Sequence, residues 1–280
     1  MFSLRVTAVA IACLVSISGT AQAEDDKVLA EALDFAMHDA QYTLYHEIGH
    51  MLIGELGLPV LGKEEDAADA LATIWLLTDD TDDNSYNALI DAADAWYFNA
   101  VRSTGTSVEE LSYYDEHSLD LHRAYAMVCM MVGADAEAFG ETADIYEIDE
   151  EQQESCAGTF DQAVTSWDAL LEPHLVAEEQ GAGIEIVYED AGEYELFAEE
   201  LKARGIIEHA AQLVLDWYVL PNEVTIRATQ CGEANAYFYP AISEITYCYE
   251  LAEHMFGMYL VDIVGWTPPE EETAPPTRRR

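Results

Sequence analysis

The chain has 280 residues and a formal net charge of −44, and half of its residues are hydrophobic. The hydrophobic content argues against a disordered protein, and the length allows one large domain or two tightly associated lobes. The acidic charge excludes nucleic acid and anionic lipid as favourable partners, and it favours a saline environment in which counter-ions screen the self-repulsion.

The first segment, residues 1–23, has the pattern of a cleavable secretory signal peptide. Arg5 precedes an apolar run, and the run ends in Ala21-Gln22-Ala23, which fits a cleavage site after Ala23. A membrane anchor is the alternative interpretation, but a bilayer span requires a longer apolar stretch of about 20 residues. We therefore expect a secreted or periplasmic protein without stable membrane insertion.

The rest of the sequence predicts a mainly helical α+β fold with a small β-sheet or hairpin. Helical patterns occupy residues 27–56 (one helix or two abutting helices), 64–78, 85–101, 117–133, 151–172, 195–219 and 249–266. Strand patterns occupy residues 185–189, 223–230 and 242–248, and the last two are expected to pair across a loop that contains Pro240. One domain is expected over residues 24–266, with a helical part, 24–180, a strand-containing part, 181–266, and a flexible tail, 267–280.

Four cysteines follow the predicted signal peptide: Cys129, Cys156, Cys231 and Cys248. An even number of cysteines in an exported chain predicts two disulfides, and four cysteines allow three connectivities. Proximity along the chain favours Cys129–Cys156 and Cys231–Cys248 without excluding the other connectivities. A structural zinc site with four cysteine ligands is the competing interpretation, but no C-x-x-C spacing supports it.

Residues 46–50, His-Glu-Ile-Gly-His, fit the H-E-x-x-H pattern. Positions four apart share a helix face, so His46 and His50 can bind one metal ion, with Glu47 beside it as the general base. The apolar neighbours indicate a buried helix, in which polar side chains require partners such as a metal. The alternative is a pair of core histidines satisfied by hydrogen bonds. Gly49 lowers helix stability by about 1 kcal/mol relative to alanine, which predicts a close approach to the backbone there.

A third metal ligand is expected from the next helix, because a catalytic zinc usually has three protein ligands and a water. Glu65 and Asp69 share one face of that helix, and the chain after Gly57 is long enough to return to the histidines. We expect Glu65 to complete the ligand set, and Asp69 to hydrogen-bond a ligand histidine and fix its tautomer. Glu64 is the alternative ligand, although adjacent helix positions face different ways.

H-E-x-x-H followed by E-x-x-A-D is the pattern of the gluzincin metallopeptidases. Residues 46–69 resemble the domain-of-unknown-function 4344 family, a bacterial family assigned to the metallopeptidases, and residues 115–135, 155–167 and 231–251 are also similar to it. The resemblance implies a zincin-like helix pair that holds one zinc ion. It also implies that the ligands are His46, His50 and Glu65, and that the base is Glu47.

The order of two blocks differs from the family pattern. The block Cys-Gly-Glu-Ala-Asn-Ala, residues 231–236, follows the H-E-x-x-H helix here, whereas it precedes that helix in the family members that the chain resembles. This order predicts a circular permutation, in which the helix at 249–266 lies against the helix that starts near Lys27. Without a permutation, the strand pair at 223–248 would be placed differently relative to the substrate cleft.

Sites of this type add a donor that stabilises the developing oxyanion. His117 is the preferred candidate and Tyr114 the second, although a helix N-cap at Asp115 explains the same stretch without catalysis. The resemblance further implies that Thr225-Ile226-Arg227 forms the sheet edge that pairs with an extended peptide.

The sequence therefore predicts an exported zinc metallopeptidase of gluzincin type, with a peptide or protein as its substrate. The metal would polarise the scissile carbonyl and lower the pKa of its water, and Glu47 would shuttle the proton to the leaving amine. One alternative is a catalytically silent, zinc-containing binding or scaffold protein. Another is a zinc amidase that acts on a non-protein substrate. A closed pocket would favour a small substrate, and an open groove with a free strand edge would favour a peptide.

Overall fold

The computed structural model describes residues 7–78, 83–102, 118–176 and 181–267, with side chains from residue 23 onward. The helices are α1 (Thr7–Leu56), α2 (Glu64–Thr78), α3 (Asp83–Arg102), α4 (Asp120–Ala134), α5 (Ala136–Ile145), α6 (Glu150–Leu171), α7 (Glu195–Arg204), α8 (Ile206–Trp217) and α9 (Tyr249–Met258). The strands are β1 (Ile184–Tyr188), β2 (Val224–Thr229), β3 (Ala236–Tyr239) and β4 (Glu244–Cys248). Within these ranges, every helix lacks either the length or the apolar character that crossing a bilayer requires.

Helix α1 is the centre of the fold. Between residues 35 and 53 its apolar side chains are buried on all sides of the helix, which is the pattern of a helix enclosed by other elements. Helices α2, α3, α8 and α9 and the strands β3 and β4 all pack against it. The helix ends at Leu56, and Gly57 adopts a left-handed conformation (φ 63°) that suits a glycine stop, as the sequence predicted.

Helices α1 and α2 approach each other closely at Gly49. A Cβ atom placed on Gly49 would lie 3.0 Å from the Cα of Ala68 and 3.1 Å from its Cβ. The close approach expected at Gly49 is therefore present, and the neighbour is the backbone of α2. Because Ala68 lies between Glu65 and Asp69, this contact brings both acidic residues to the H-E-x-x-H face of α1.

Two helical predictions were incomplete. The segment 195–219 is not one helix, because Gly205 adopts a left-handed conformation (φ 62°) and separates α7 from α8. Helix α5 was not predicted. Its start is set by Asp135, whose carboxylate accepts hydrogen bonds from the backbone N–H groups of Glu137 and Ala138 at 3.1 and 3.0 Å.

The strands form one mixed sheet in the order β1-β2-β4-β3. Strand β2 pairs with β1 and β4 in parallel, and β3 pairs with β4 in antiparallel orientation. The predicted pair of strands β2 and β4 is therefore present, but the connection between them contains β3, where the sequence predicts a loop. The confirmed class is a mainly helical α+β fold with a small sheet.

The segment that follows β4, formed by α9 and a π-helical turn over Tyr259–Ile263, lies against α1. The Tyr259 hydroxyl donates a hydrogen bond to the Glu31 carboxylate at 3.2 Å, and the Trp266 indole N–H donates one to Asp25 at 3.2 Å. The rings of Phe35 and Tyr259 are 5.5 Å apart. The packing expected for a circular permutation is thus present, while the permuted block order itself stays a prediction.

Two disulfides are formed, Cys129–Cys156 and Cys231–Cys248, which is the pairing that proximity favoured. The first disulfide joins α4 to α6 beside another close approach. A Cβ atom on Gly133 of α4 would lie 2.4 Å from the carbonyl oxygen of Cys156. Only glycine allows α4 and α6 to come this close.

The Gly133→Ala variant should therefore be destabilised by about 1–3 kcal/mol, because the added methyl group has to displace the backbone of α6. Gly140→Ala in α5 is the matched control, since no atom lies within 4 Å of the added Cβ. Its gain in helix propensity should raise stability by up to about 1 kcal/mol. Urea unfolding of both variants measures the two effects, and equal changes would contradict the close contact.

Candidate active site

The two histidines of the H-E-x-x-H segment lie one turn apart on α1 and point to the same place. Their Nε2 atoms are 3.1 Å apart, and the side chains of His46 and His50 are only 8% and 12% exposed. Glu47, between them in sequence, is also buried and faces the same cleft. The helix therefore places two imidazole nitrogens and one carboxylate at a single location.

Glu65 from the first turn of α2 completes this group. Its Oε2 atom lies 3.2 Å from His46 Nε2 and 3.3 Å from His50 Nε2. The three atoms form a nearly equilateral triangle, in which one carboxylate oxygen contacts both imidazole nitrogens. In the described residues, these three side chains form a group with the residue types and spacing of a metal site.

The outward nitrogen of each imidazole has its own carboxylate. His46 Nδ1 is 2.8 Å from Asp69 Oδ1, as expected from the sequence, and His50 Nδ1 is 2.9 Å from Glu64 Oε1. Glu64 is thus placed on the far side of His50 from the triangle, where it can orient the ring. The pattern of α2 explains the division, because Glu64 and Glu65 leave the helix about 100° apart.

Asp69 accepts hydrogen bonds from a buried network that the sequence pattern does not predict. Arg123 of α4 donates to both Asp69 oxygens, from Nε at 2.7 Å and from a terminal nitrogen at 2.6 Å, and the Tyr42 hydroxyl donates at 2.9 Å. The Arg123 guanidinium also lies over the Trp96 ring, 3.6 Å from its centroid. The available signal was a single arginine at the start of the mostly apolar α4 in a very acidic chain.

The charges in this network favour positive charge at His46. Burial lowers the pKa of His46, but hydrogen bonds to Asp69 and Glu65 outweigh it and raise the pKa to about 9. Burial raises the pKa of Asp69, yet His46 and Arg123 together hold it well below its usual range. Asp69 therefore stays ionised and stabilises positive charge at His46.

The triangle fits the dimensions of a zinc site. Ligands about 2.0–2.1 Å from a tetrahedral zinc ion lie about 3.3 Å from one another. The three distances here are 3.1, 3.2 and 3.3 Å. Two imidazoles with one carboxylate also match the preference of zinc, whereas calcium and magnesium favour sets of oxygen atoms.

The triangle opens into a cleft of about 910 Å³. It is lined by β3 and the residues around it, from Ala234 to Pro240, and by side chains of α1, α2, α3, α4 and α9. Strand β3 is the terminal strand of the described sheet. The cleft reaches solvent, since Tyr239 at the end of β3 is 43% exposed.

Two further site predictions have different outcomes. His117 and Tyr114, the candidates for the oxyanion donor, lie outside the described residues, so this role stays a prediction. The prediction that Thr225-Ile226-Arg227 forms the substrate edge is wrong. Strand β2 has β1 on one side and β4 on the other, so its backbone groups are already paired, and β3 is the strand that borders the cleft.

Comparison with known proteins identifies the family. The model of the domain-of-unknown-function 4344 family, described as "Putative metallopeptidase", matches residues 9–171 and 188–262, which is most of the chain. The chain belongs to this family. Searches of curated proteins and of solved structures each returned no match to the chain. The resemblance seen in the sequence is therefore confirmed, and the family assignment includes the H-E-x-x-H helix, α2 and the β3 region.

The network around Asp69 predicts a large effect on stability. Arg123→Met should lower the free energy of unfolding by about 3 kcal/mol or more, because it leaves a buried carboxylate without its partner. Arg204→Met is the matched control, since Arg204 pairs with Asp34 and Glu200 at the surface. That loss should stay within about 1 kcal/mol. Chemical unfolding of the two variants at pH 7 makes the comparison, and similar losses would show that the Asp69 network contributes little.

Proposed function

We propose that this chain is an exported zinc metallopeptidase of gluzincin type. The observation that carries the proposal is the triangle of His46 Nε2, His50 Nε2 and Glu65 Oε2, with edges of 3.1–3.3 Å, at the base of a cleft. Family membership supports the same class of reaction. The three atoms would hold one zinc ion, and Asp69 and Glu64 would fix the orientation of the two imidazole rings.

A zinc ion held by this ligand set supplies a Lewis acid that polarises a carbonyl and makes water a nucleophile near neutral pH. The chain itself supplies the proton transfers. The Glu47 carboxylate, buried beside His46 and facing the cleft, takes the proton of the attacking water and delivers it to the nitrogen of the leaving amine.

A peptide is the substrate that the shape of the cleft supports best. Strand β3 ends the described sheet and borders the cleft, so an extended peptide can add to it by backbone hydrogen bonds. This geometry disfavours an amidase with a closed pocket for a small substrate. The intact set of His46, Glu47, His50 and Glu65 disfavours a silent scaffold protein.

Export rests on two features. The N-terminal segment has the pattern of a signal peptide with a cleavage site after Ala23. The disulfides Cys129–Cys156 and Cys231–Cys248 are typical of proteins that fold in an oxidising compartment. We therefore place the mature protein in the periplasm or outside the cell.

The ligand assignment predicts a difference between two adjacent glutamates. The wild-type protein should bind about one zinc ion per chain. Glu64→Gln should weaken zinc binding by about 10- to 100-fold, the usual effect of losing a partner of a ligand histidine. Glu65→Gln should weaken it further, because it removes a ligand. Competition with a chromophoric chelator gives both dissociation constants. The reverse order would assign the ligand role to Glu64.

The Glu47→Gln variant separates metal binding from catalysis. Zinc affinity should be retained, whereas kcat for peptide cleavage should fall by about 100-fold or more, since the variant removes the general base. The matched control is Glu31→Gln on the same helix, which should leave kcat unchanged because Glu31 interacts with Lys27 and Tyr259 away from the cleft. Full activity in Glu47→Gln would exclude the assigned role.

A further inference from the structure

Helix α1 carries a second acidic residue on the face of the metal-site histidines. Asp39, Thr43, His46 and His50 are spaced at i, i+4, i+7 and i+11, and all four line the cleft. This spacing forms one stripe along a helix. Asp39 lies seven residues before His46, which is about 10.5 Å along the helix axis.

Asp39 is buried with little compensation. It is 5% exposed, and the one hydrogen bond that its carboxylate makes among the described side chains is a long one from the Thr43 hydroxyl, at 3.5 Å. The nearby cation is Arg123, but its Nε and one terminal nitrogen donate to Asp69, and its guanidinium lies over the Trp96 ring. Burial, together with the charge of Asp91, raises the pKa of Asp39 to about 7. The Thr43 hydrogen bond and the charge of Arg123 oppose this rise.

A second under-satisfied polar group lies in the core near Asp39. The Tyr247 hydroxyl of β4 is buried and has no hydrogen-bond partner within the described part of the chain. Burial and the nearby negative charge of Asp39 both raise the pKa of the Tyr247 hydroxyl. Such buried polar groups with weak or missing hydrogen bonds are unusual in a folded core. Because Asp39 is the one of the two that lines the cleft, its carboxylate indicates a ligand group with hydrogen-bond donors.

We propose that the Asp39 carboxylate forms the end of a specificity subsite that binds a cationic side chain. This side chain would be a lysine or arginine of the substrate, at a position next to the scissile bond. An ammonium or guanidinium group in the cleft can donate to the Asp39 carboxylate, which lines it. Trp96, Leu251 and Met255, which also line the cleft, provide apolar surface for the methylene groups of such a side chain. This inference rests on the proposed peptidase function and names its substrate class.

The distance along α1 agrees with this assignment. The scissile carbonyl of a bound peptide lies at the triangle near His46, and a neighbouring residue places its Cα a few ångströms away. A lysine side chain then extends about 6 Å further, at roughly 1.25 Å of advance per bond, which is the reach that the separation of about 10.5 Å requires. A negatively charged or short apolar side chain would leave the Asp39 carboxylate buried and unpaired.

The test compares zinc-loaded wild-type protein with Asp39→Asn on a proteome-derived peptide library. Wild-type cleavage sites should be enriched in lysine or arginine at one position beside the scissile bond. On matched peptides with lysine or norleucine at that position, Asp39→Asn should reduce the lysine preference in kcat/KM by about 10- to 100-fold, the loss of one charge-assisted hydrogen-bonded pair. Cleavage of the norleucine peptide should be retained. Asp34→Asn, at an exposed position on the same helix, is the control and should keep the wild-type preference.

Stability provides a readout that separates this role from a structural one. Asp39 has a raised pKa when folded, so its ionisation destabilises the protein as pH rises from about 4 through 7. The groups that act on it are Thr43, Asp91, Arg123 and Tyr247, and none is changed by the substitution. Asp39→Asn should therefore raise the thermal midpoint at pH 8. A lower midpoint would indicate that Asp39 supports the fold, and would overturn the proposal.

The remaining outcomes distinguish the two proposals. Cleavage without preference for a basic residue would reject the subsite and leave the peptidase intact. If no peptide is cleaved although zinc is bound, the proposed peptidase function fails. Isothermal titration calorimetry with n-butylammonium then tests whether the cation subsite exists. Binding to wild type that Asp39→Asn loses would support the cation site, and equal or absent binding would reject it.

Discussion

The site depends on how closely α1 and α2 can approach. Gly49 lacks a side chain, and Ala68 has a single methyl group, so the two helix backbones come together at this point. Residues within one turn of this contact on each helix then meet: the histidines from α1, and Glu65 and Asp69 from α2. A larger residue at either position would separate the helices, and the carboxylate of Glu65 would no longer reach both imidazoles. The loss in helix propensity at Gly49 is thus offset by the geometry that it permits.

The electrostatics of the site have the same dependence on a few contacts. In a chain with a net charge of −44, Arg123 is buried, and its guanidinium is committed to Asp69 and to the ring of Trp96. Asp69 in turn holds His46. This chain of contacts joins α4 to α2 and α2 to α1, and the Cys129–Cys156 disulfide joins α4 to α6. Helices α4 and α2 therefore support the orientation of the His46 side chain on α1.

The sequence predicted the parts of the site that follow from local periodicity. The positions of His46, Glu47 and His50 on one helix, and of Glu65 and Asp69 on the next, are consequences of helix geometry. Arg123 was missed because its contact with Asp69 spans 54 residues, and no local pattern encodes it. Strand β3 was missed because four residues beside Pro240 give too short an alternation, and its pairing with β4 decides which strand borders the cleft. The break between α7 and α8 was not predicted, because it depends on the left-handed conformation of Gly205, which a hydrophobic pattern does not reveal.

Because Asp39 and the two histidines belong to one unbroken helix, the distance between the proposed cation subsite and the proposed metal site is fixed. A subsite on a loop can shift to follow substrates of different size, but a carboxylate seven residues along a buried helix cannot. Such an arrangement measures side-chain length as well as charge. Ornithine, with the same ammonium group on a stem one methylene shorter than that of lysine, would fall short of Asp39. The length of α1 between Asp39 and His46 would then set the length of the side chain that is accepted. An insertion or deletion between these positions would turn Asp39 away from the cleft while leaving His46, His50 and Glu65 in place.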